Sequence, residues 1–546
     1  MRREDQERIL TEIRCRLVEE RLVESAGGGM PLEETIAGSI YHESRRLKEE
    51  PPSRARREDQ LFWDEVRRRL RRAGERELID LLDSIVARYA EEIRGNFDPR
   101  VYELATRMLP PALGVLLNAV TPIRLLSGPG GIPGLDDTVL IQGEVDHLRR
   151  LHDAGTVILC PTHSSNLDSP LLGLAVYRMG LPPVIYGAGL NLFSNPLISF
   201  FMHNLGAYTV DRRKKDPLYK EVLKTYAALT LEHGYDNLFF PGGTRSRSGA
   251  IERRLKLGLL GCGLTAYIQN LRRGAPRPKI FIVPATLSYG LTLEAETLID
   301  DFLKDVGKSR YIITDDEFSR PTRVFDFVRR LFALDSKIYF TVGRGLDPFG
   351  NPVDDDGESL DPRGRRIVPS RYVLVDGEPR LLAQRDAEYT RELGARIADS
   401  FKANNVLQST HVTAGAVFGL LRRANPEIDL VRLIRVGGRK DSFDLREVHR
   451  ETGRLLDELA GLAARGGIRL APSILHKEPE EVVADGLAHF ATYHRSPAAY
   501  RKGDRVFPGN HALLFYYRNR LEGYRLERNA NMPPVLDSEH LSLRAA

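Results

Sequence analysis

The sequence contains little cysteine. Only three occur in 546 residues, Cys15, Cys160 and Cys262, and they lie far apart. This spacing fits neither a disulfide framework nor a zinc site, and it favours a reducing, cytoplasmic compartment. We therefore expect no metal ion and no other bound cofactor.

Long uninterrupted apolar runs are also missing. Met108–Ile123 carries no charged residue, but it contains three prolines and is shorter than the roughly 20 residues that a membrane span needs. Met179–Val210 likewise lacks charged residues, yet proline, glycine and asparagine interrupt it repeatedly. We expect buried core or an interfacial membrane segment rather than a span. The apolar side chains that such a segment would insert are Phe193, Leu197, Phe200, Phe201 and Met202. The N-terminus shows no apolar stretch typical of a signal peptide, so secretion is not expected.

An excess of charge of one sign is absent too. Lys and Arg total 80 against 75 Asp and Glu, a formal net charge of +5. That balance, without interleaved basic and aromatic residues, argues against a nucleic-acid partner. Hydrophobic residues make up 42% and charged residues 28%, which is typical of folded globular chains.

Three regions follow from the pattern along the chain. Residues 1–135 have apolar residues at helical spacing among dense charges, and a Gly/Pro cluster at 128–134 closes this region. Residues 136–350 alternate strand-like and helical segments, which predicts an α/β domain with a mixed, largely parallel sheet flanked by helices. Residues 351–546 are predicted to be mostly helical after a polar loop. The predicted strands are Thr156–Cys160, Pro183–Tyr186, Ala207–Val210, Asn237–Phe240, Lys279–Pro284 and Lys337–Val342.

The first candidate site follows the first predicted strand. His163 lies in a polar loop after that strand, and Asp168 stands where a helix would begin. Open α/β sheets bind ligands at the carboxyl ends of their strands. A carboxylate beside an imidazole fixes its tautomer, so the pair suits removal of a proton from a hydroxyl. The alternative is structural: Asp168 caps the helix and His163 is an ordinary loop histidine.

Basic residues follow two further predicted strands. Arg212 ends one of them, and the other runs into a glycine turn. Glycines let a backbone approach an anion closely, and arginine binds phosphate in a bidentate fork. A fourth segment is a buried strand with Pro284 near its end, which by itself predicts only core. The residues of these segments that we expect to bind substrate are Arg212, Gly242, Gly243, Thr244, Arg245, Arg247 and Lys256.

In this order, the four segments resemble the four motif blocks of the glycerolipid acyltransferase family. His163 and Asp168 match its HxxxxD pair, while Gly206 and Arg212 match its second block. The third block corresponds to Gly243, Arg245 and Ser246, and the fourth to Pro284. The resemblance implies that Ser246 and Pro284 also belong to the substrate-binding site. The segments Asn404–Gly419 and Phe515–Asn519 also resemble the C-terminal region of the long bacterial and mitochondrial glycerol-3-phosphate acyltransferases.

One residue departs from the family pattern. Many members carry glutamate in the third block at the position of Gly242. If that carboxylate positions substrate or the arginines, activity or acceptor choice would differ in this chain. The soluble plastid branch also lacks an acidic residue there, so Gly242 does not by itself indicate a dead enzyme.

The resemblance implies direct acyl transfer from acyl-CoA or acyl-carrier protein to the 1-hydroxyl of glycerol 3-phosphate, the first step of phospholipid synthesis. His163 would act as base and Asp168 would orient it, while Arg212, Arg245 and Arg247 would hold the phosphate. Backbone amides near Gly242 and Gly243 would stabilise the oxyanion. It further implies a peripheral or monotopic place on the cytoplasmic face of the cell membrane. The alternatives are acylation of 1-acylglycerol 3-phosphate or dihydroxyacetone phosphate, or a non-catalytic lipid-binding protein.

Overall fold

The structure, a computed structural model, describes residues 1, 3–107, 138–190, 204–306, 337–524 and 526. Its N-terminal part is helical, as predicted. Apolar residues at helical spacing turn inward to one shared core, where Trp63 and Tyr89 are fully buried. This core also includes Tyr208 and Tyr226, so the helices pack directly on one edge of the α/β sheet. The helices are α1 (Arg3–Ala26), α2 (Leu32–Glu49), α3 (Arg54–Leu70) and α4 (Glu75–Ile93).

A seven-stranded sheet forms the middle of the molecule. The strands lie in the order β1-β7-β6-β2-β5-β3-β4. From β6 to β4 all neighbours are parallel, whereas β7 runs antiparallel to β6 and parallel to β1. The predicted fold class, a mixed and largely parallel sheet flanked by helices, is therefore confirmed. The strands are β1 (Val139–Gly143), β2 (Thr156–Pro161), β3 (Ile185–Gly189), β4 (Ala207–Val210), β5 (Asn237–Leu238), β6 (Ile280–Tyr289) and β7 (Ile338–Val342).

Helices cover this sheet because its central strands are apolar on both sides. Every residue of β2 and of β6 is buried, as parallel strands between two helical layers must be. Burial of one large apolar side chain contributes about 1.5–3 kcal/mol, so these two strands anchor the domain. The covering helices are α5 (Val145–Ala154), α6 (Asp168–Arg178), α7 (Pro217–Glu232), α8 (Leu257–Arg272) and α9 (Ala295–Val306).

The C-terminal part is mostly helical, as predicted, and it also contains short strands. Of these, β8 (Phe443–Asp444), β9 (Ala499–Lys502) and β10 (Arg505–Pro508) form one antiparallel sheet. Its helices share a core with the main sheet, because Phe418 and Phe515 belong to the same buried cluster as Val283 and Phe340. They are α10 (Ala383–Ala403), α11 (Ser409–Ala424), α12 (Leu430–Val436), α13 (Leu445–Ala464), α14 (Pro479–Phe490) and α15 (His511–Arg518).

Within the described ranges, the structure contains no helix that is both long enough and apolar enough to span a membrane. The apolar stretch Met108–Ile123 and the residues Phe193–Met202 lie outside those ranges. The remainder of Met179–Val210 forms β3 and β4 with the turns that lead into them. Two of its residues, Ile185 and Tyr208, are buried, so this part of the stretch is core.

Candidate active site

The HxxxxD segment is the connection from β2 to α6. After β2 ends at Pro161, Thr162 joins the loop to β6: its amide donates to Ala285 O (3.0 Å) and its hydroxyl accepts from Leu287 N (2.9 Å). His163 follows at the carboxyl end of β2, and the helix begins at Asp168. The strand end and the helix start therefore fall where the sequence predicted them.

Asp168 is fully buried and is surrounded by hydrogen-bond donors. Its Oδ2 lies 2.8 Å from His163 Nδ1 and accepts from the amides of Ser164 (2.6 Å) and Ser165 (2.9 Å). Its Oδ1 accepts from the hydroxyl of Tyr289. A carboxylate that accepts a hydrogen bond from Nδ1–H keeps the proton on Nδ1 and leaves Nε2 of the imidazole as the basic nitrogen. The loop thus brings the predicted pair together with the geometry of an oriented base.

His163 is held from further sides by the segment after β5. Its carbonyl accepts from Ser246 N (2.7 Å), and its amide donates to Glu252 Oε1 (2.9 Å). Its ring stacks on Phe240, with the ring centres 4.0 Å apart and the planes inclined by 21°. The side chain remains 17% exposed. The ring is therefore fixed in orientation and still accessible to a substrate.

The glycine turn of the third block follows β5 directly. Gly243 has a φ of +74° and donates its amide to Phe240 O at 3.0 Å. That amide closes the turn, so it is not available to an oxyanion as the sequence argument expected. The side chain of Lys256 crosses above Gly243: a Cβ there would lie 2.6 Å from Lys256 Cδ. Thr244 is exposed.

Two arginines of this turn make ion pairs. Arg245 Nη1 lies 3.3 Å from Glu294 Oε1, and Glu294 also accepts from the Ser165 hydroxyl (2.8 Å) and the Asn166 amide (2.9 Å). Arg245 is thereby tied to the HxxxxD loop. Arg247 instead pairs with Asp301 and Asp305 of α9. The structure thus places Arg245 beside the base, whereas Arg247 faces carboxylates of the next helix.

Arg212 and Pro284 occupy more distant positions. Arg212 is exposed just after β4. It therefore lies at the carboxyl ends of the parallel strands, as His163 does. Three strand spacings of about 4.8 Å separate β4 from β2, so roughly 14 Å of sheet lies between the two strand ends. Pro284 is buried inside β6 and pairs in register with Cys160. Pro284 therefore belongs to the scaffold under the loop and does not line its open face.

Glu252 is a further acidic group at the site. Burial raises the pKa of its carboxyl to about 8, and the negative charge of Asp168 acts in the same direction. The hydrogen bond from the His163 amide and the charge of Arg520 oppose this rise. At neutral pH the carboxyl therefore holds its proton for most of the time.

The C-terminal part closes the site from the side. Arg520 is buried and donates to Asn405 Oδ1 (2.8 Å) and Leu287 O (2.6 Å). Asn519 donates to Ser248 O at 2.8 Å. A small pocket between these elements adjoins the His–Asp pair and is lined by Ser164, Gly249, Tyr289, Thr292, His411, Tyr516, Tyr517 and Arg520. Burial, the largest effect, and then the charge of Arg520 lower the pKa of His411 to about 3, so that imidazole is neutral.

Several residues that shape the site were not predicted from the sequence. Tyr289 ends the fourth block, but its contact with Asp168 depends on the register of β6 against β2. Glu252 and Glu294 lie 89 and 128 positions from the nearest loop residues that they hold. The sole signal in the sequence was indirect: Glu252 lies ten positions after Gly242, where the acidic residue of the block is missing.

Together, the fold and the site define an α/β protein with a histidine–carboxylate acid–base pair beside an arginine-bearing glycine turn. Residues 142–288 match a family model described as Acyltransferase. The glycerol-3-phosphate acyltransferase of Aeromonas hydrophila is 34% identical over 267 residues, which cover 48% of this chain and 28% of that protein. The glycerol-3-phosphate acyltransferase of Pseudomonas paraeruginosa is 30% identical over 295 residues, 53% of this chain and 32% of that protein.

These matches support the resemblance of residues 142–288 to the glycerolipid acyltransferase family, which the motif blocks predicted. The alignments span less than a third of the length of these relatives. Among solved structures, the 1-acyl-sn-glycerophosphate (LPA) acyltransferase of Thermotoga maritima is 15% identical. That comparison covers 56% of this chain and 93% of the other with a TM-score of 0.25, which is too low to carry an argument.

Proposed function

We propose that this protein transfers a fatty acyl group from a thioester donor to the 1-hydroxyl of glycerol 3-phosphate. The observation that carries this proposal is the His163–Asp168 pair, with 2.8 Å between Nδ1 and Oδ2, at the end of β2. The names of the relatives support glycerol 3-phosphate as the acceptor. Acyl-CoA and acyl-carrier protein are both kept as donors, because each presents the fatty acyl group as the same thioester.

The transfer would proceed by addition of the acceptor hydroxyl to the thioester and elimination of the thiolate. Nε2 of His163 takes the proton from the acceptor hydroxyl while the hydroxyl oxygen attacks the thioester carbonyl. The C–S bond then breaks, and the thiolate leaves with the proton that His163 returns. Asp168 stays ionised and stabilises the imidazolium that forms between the two proton transfers. No covalent acyl-enzyme is needed.

Binding of the acceptor phosphate is assigned to the basic residues on this edge of the sheet. Arg245 lies next to the HxxxxD loop through Glu294, and Lys256 extends over the glycine turn. Arg212 follows β4 on the same edge, with no carboxylate within 4.0 Å of it in the part of the chain that the structure describes. A phosphate held by these groups would leave the acceptor hydroxyl near His163, and such positioning accounts for much of catalysis.

We also propose that the reaction takes place at the cytoplasmic face of a membrane, to which the protein binds peripherally. The product of the proposed reaction carries one fatty acyl chain, which partitions into lipid. Flotation with anionic and with neutral vesicles measures the binding of the protein to a lipid surface. Binding to anionic vesicles that weakens with salt is the expected result, and absence from the lipid fraction under all conditions would exclude it.

The proposed activity is tested with purified protein in mixed micelles. Labelled glycerol 3-phosphate, dihydroxyacetone phosphate and 1-acylglycerol 3-phosphate are each paired with acyl-CoA and acyl-carrier protein. Product from glycerol 3-phosphate, at a kcat/KM above that for the other acceptors, is expected. Preference for 1-acylglycerol 3-phosphate would replace the acceptor in the proposal, and no product from folded protein with any pairing would overturn it.

A further inference from the structure

The space above Gly242 is filled by another residue. A Cβ built on Gly242 would lie 2.6 Å from Glu252 Cδ and 2.8 Å from each carboxyl oxygen. Within a single glutamate side chain, Cβ and Cδ are about 2.5 Å apart, given ordinary bond lengths and angles. The carboxyl carbon of Glu252 therefore stands at the distance where a glutamate at position 242 would place its own.

The two oxygens of this carboxyl group differ in their surroundings. Oε1 accepts the hydrogen bond of the His163 amide at 2.9 Å. Oε2 is buried and has no hydrogen-bond partner among the described residues. Buried polar atoms are nearly always paired because an unmade hydrogen bond costs free energy. A buried carboxyl with one idle oxygen, directly behind the base, is a costly feature for a residue that only fills space.

We propose that Glu252 is a positioning residue of the active site, and that it supplies from position 252 the carboxyl group which many family members carry at position 242. Glycine at position 242 then leaves room for the Glu252 carboxyl group, because a side chain at 242 would overlap it. The inference rests on the proposed function. Glu252 acts through His163: it fixes the amide at the strand end and so holds the ring in line with Asp168 and the acceptor.

The same observation changes the meaning of Gly242. On sequence grounds, its missing carboxylate raised the question of altered or lost activity. In the structure the carboxyl group is present and only its origin in the chain is different. The substitution Gly242→Glu alone would therefore create a steric clash with Glu252 and would not improve the site.

A double-mutant cycle tests whether a carboxyl group at position 242 can replace the one at position 252. Its variants are Gly242→Glu, Glu252→Ala and the two combined. Glu252→Gln serves as the conservative variant because its Oε1 still accepts from the His163 amide. Gly258→Glu combined with Glu252→Ala is the matched control. Gly258 is exposed on α8, and a Cβ there would meet Lys224 Cε at an ordinary 3.8 Å. A glutamate at position 258 therefore restores the number of glutamates without placing a carboxyl group beside His163. Each variant is assayed for kcat and KM and for its thermal unfolding midpoint.

We expect Glu252→Ala to lower kcat by about 10²-fold with KM little changed, as small displacements of catalytic groups do. Glu252→Gln should remain within a few-fold of wild type. Gly242→Glu alone should lower both kcat and the unfolding midpoint. The combined variant should recover at least tenfold in kcat over either single variant, and the Gly258→Glu control should not.

Two results would overturn the inference. A combined variant that regains stability but no kcat would show that the carboxyl group has only a structural role. A combined variant no more stable than Gly242→Glu alone would show that removal of the Glu252 side chain does not make room for a glutamate at position 242. If the wild-type protein has no activity with any substrate pair, the proposed function fails, and the stability cycle alone still decides whether positions 242 and 252 exchange.

Discussion

The hydroxyl of Tyr289 donates a hydrogen bond to Oδ1 of Asp168, the carboxylate whose other oxygen faces His163. Tyr289 is the last residue of β6, the strand beside β2 in the sheet. The orientation of the base is thereby linked to the register of two central strands. Tyr289 can for this reason influence the rate through Asp168.

Asp168→Asn and Tyr289→Phe test this link. Asparagine removes the charge that stabilises the imidazolium, so kcat should fall by about 10²–10⁴-fold. Phenylalanine removes a hydrogen bond to a charged group, about 1.5–3 kcal/mol, and kcat should fall by about tenfold or more with KM unchanged. Tyr226→Phe is the control, because that buried hydroxyl contacts Gly95 N in the N-terminal region. It should lower stability and leave kcat intact; equal effects of the two tyrosines on kcat would contradict the link.

Arg245 and Arg247 are expected to differ although they are two positions apart. Arg245→Ala should raise the KM for glycerol 3-phosphate by about 10- to 100-fold, the value of one charge-assisted contact. Arg247→Ala should change KM by less than about threefold, because its guanidinium pairs with Asp301 and Asp305 and such partly exposed pairs contribute little. Steady-state kinetics of both variants measures the two KM values. A larger rise in KM for Arg247→Ala than for Arg245→Ala would place the phosphate site nearer to α9.

Glu252 should make stability depend on pH. Its pKa is about 8 in the folded protein against an ordinary 4.5, so between these values the folded state keeps a proton that the unfolded chain has lost. Stability due to this group is thus highest at low pH and declines as the pH rises to about 8, by up to about 1.4 kcal/mol per unit. Unfolding midpoints of wild type and Glu252→Gln from pH 5 to 9 should diverge, with the glutamine variant gaining. A constant difference would contradict the buried, protonated state.

Gly249 joins the third-block turn to the C-terminal part. It has a φ of +81°, and a Cβ there would lie 2.3 Å from Tyr516 O. Gly249→Ala should therefore destabilise the protein by about 2 kcal/mol or more through backbone strain and the clash, and it should reduce activity. Gly258→Ala on α8, where a Cβ would meet Lys224 Cε at an ordinary 3.8 Å, should be neutral or slightly stabilising. Similar unfolding midpoints for the two variants would show that the contact at Gly249 is not tight.

The local parts of this structure could be predicted from the sequence. Apolar runs predicted β2, β4 and β6, because strands that are buried on both faces are apolar throughout. Helical spacing predicted the N-terminal helices, because each buries one apolar face. Strand β1 was missed, since it is short, mostly half-buried and pairs with β7 about 200 positions away. The proposed domain boundaries at 135 and 350 stay predictions.

The candidate site divides in the same way. The base and its carboxylate lie five positions apart, so their loop alone could suggest them. The roles of Tyr289, Glu252 and Glu294 come from contacts across the sheet, which no local pattern encodes. The sequence also could not show that Arg245 and Arg247 have partners on different segments, and their predicted role in binding phosphate stays a prediction.

Acyl transfer by His163→Ala tests the central claim most directly. It is compared with wild type and with His449→Ala, which removes a histidine paired with Glu480 in the C-terminal part. Direct transfer with His163 as base predicts a loss of at least about 10²-fold in kcat for His163→Ala at an unchanged unfolding midpoint, and wild-type activity for His449→Ala. Transfer at the wild-type rate by folded His163→Ala protein would contradict the mechanism.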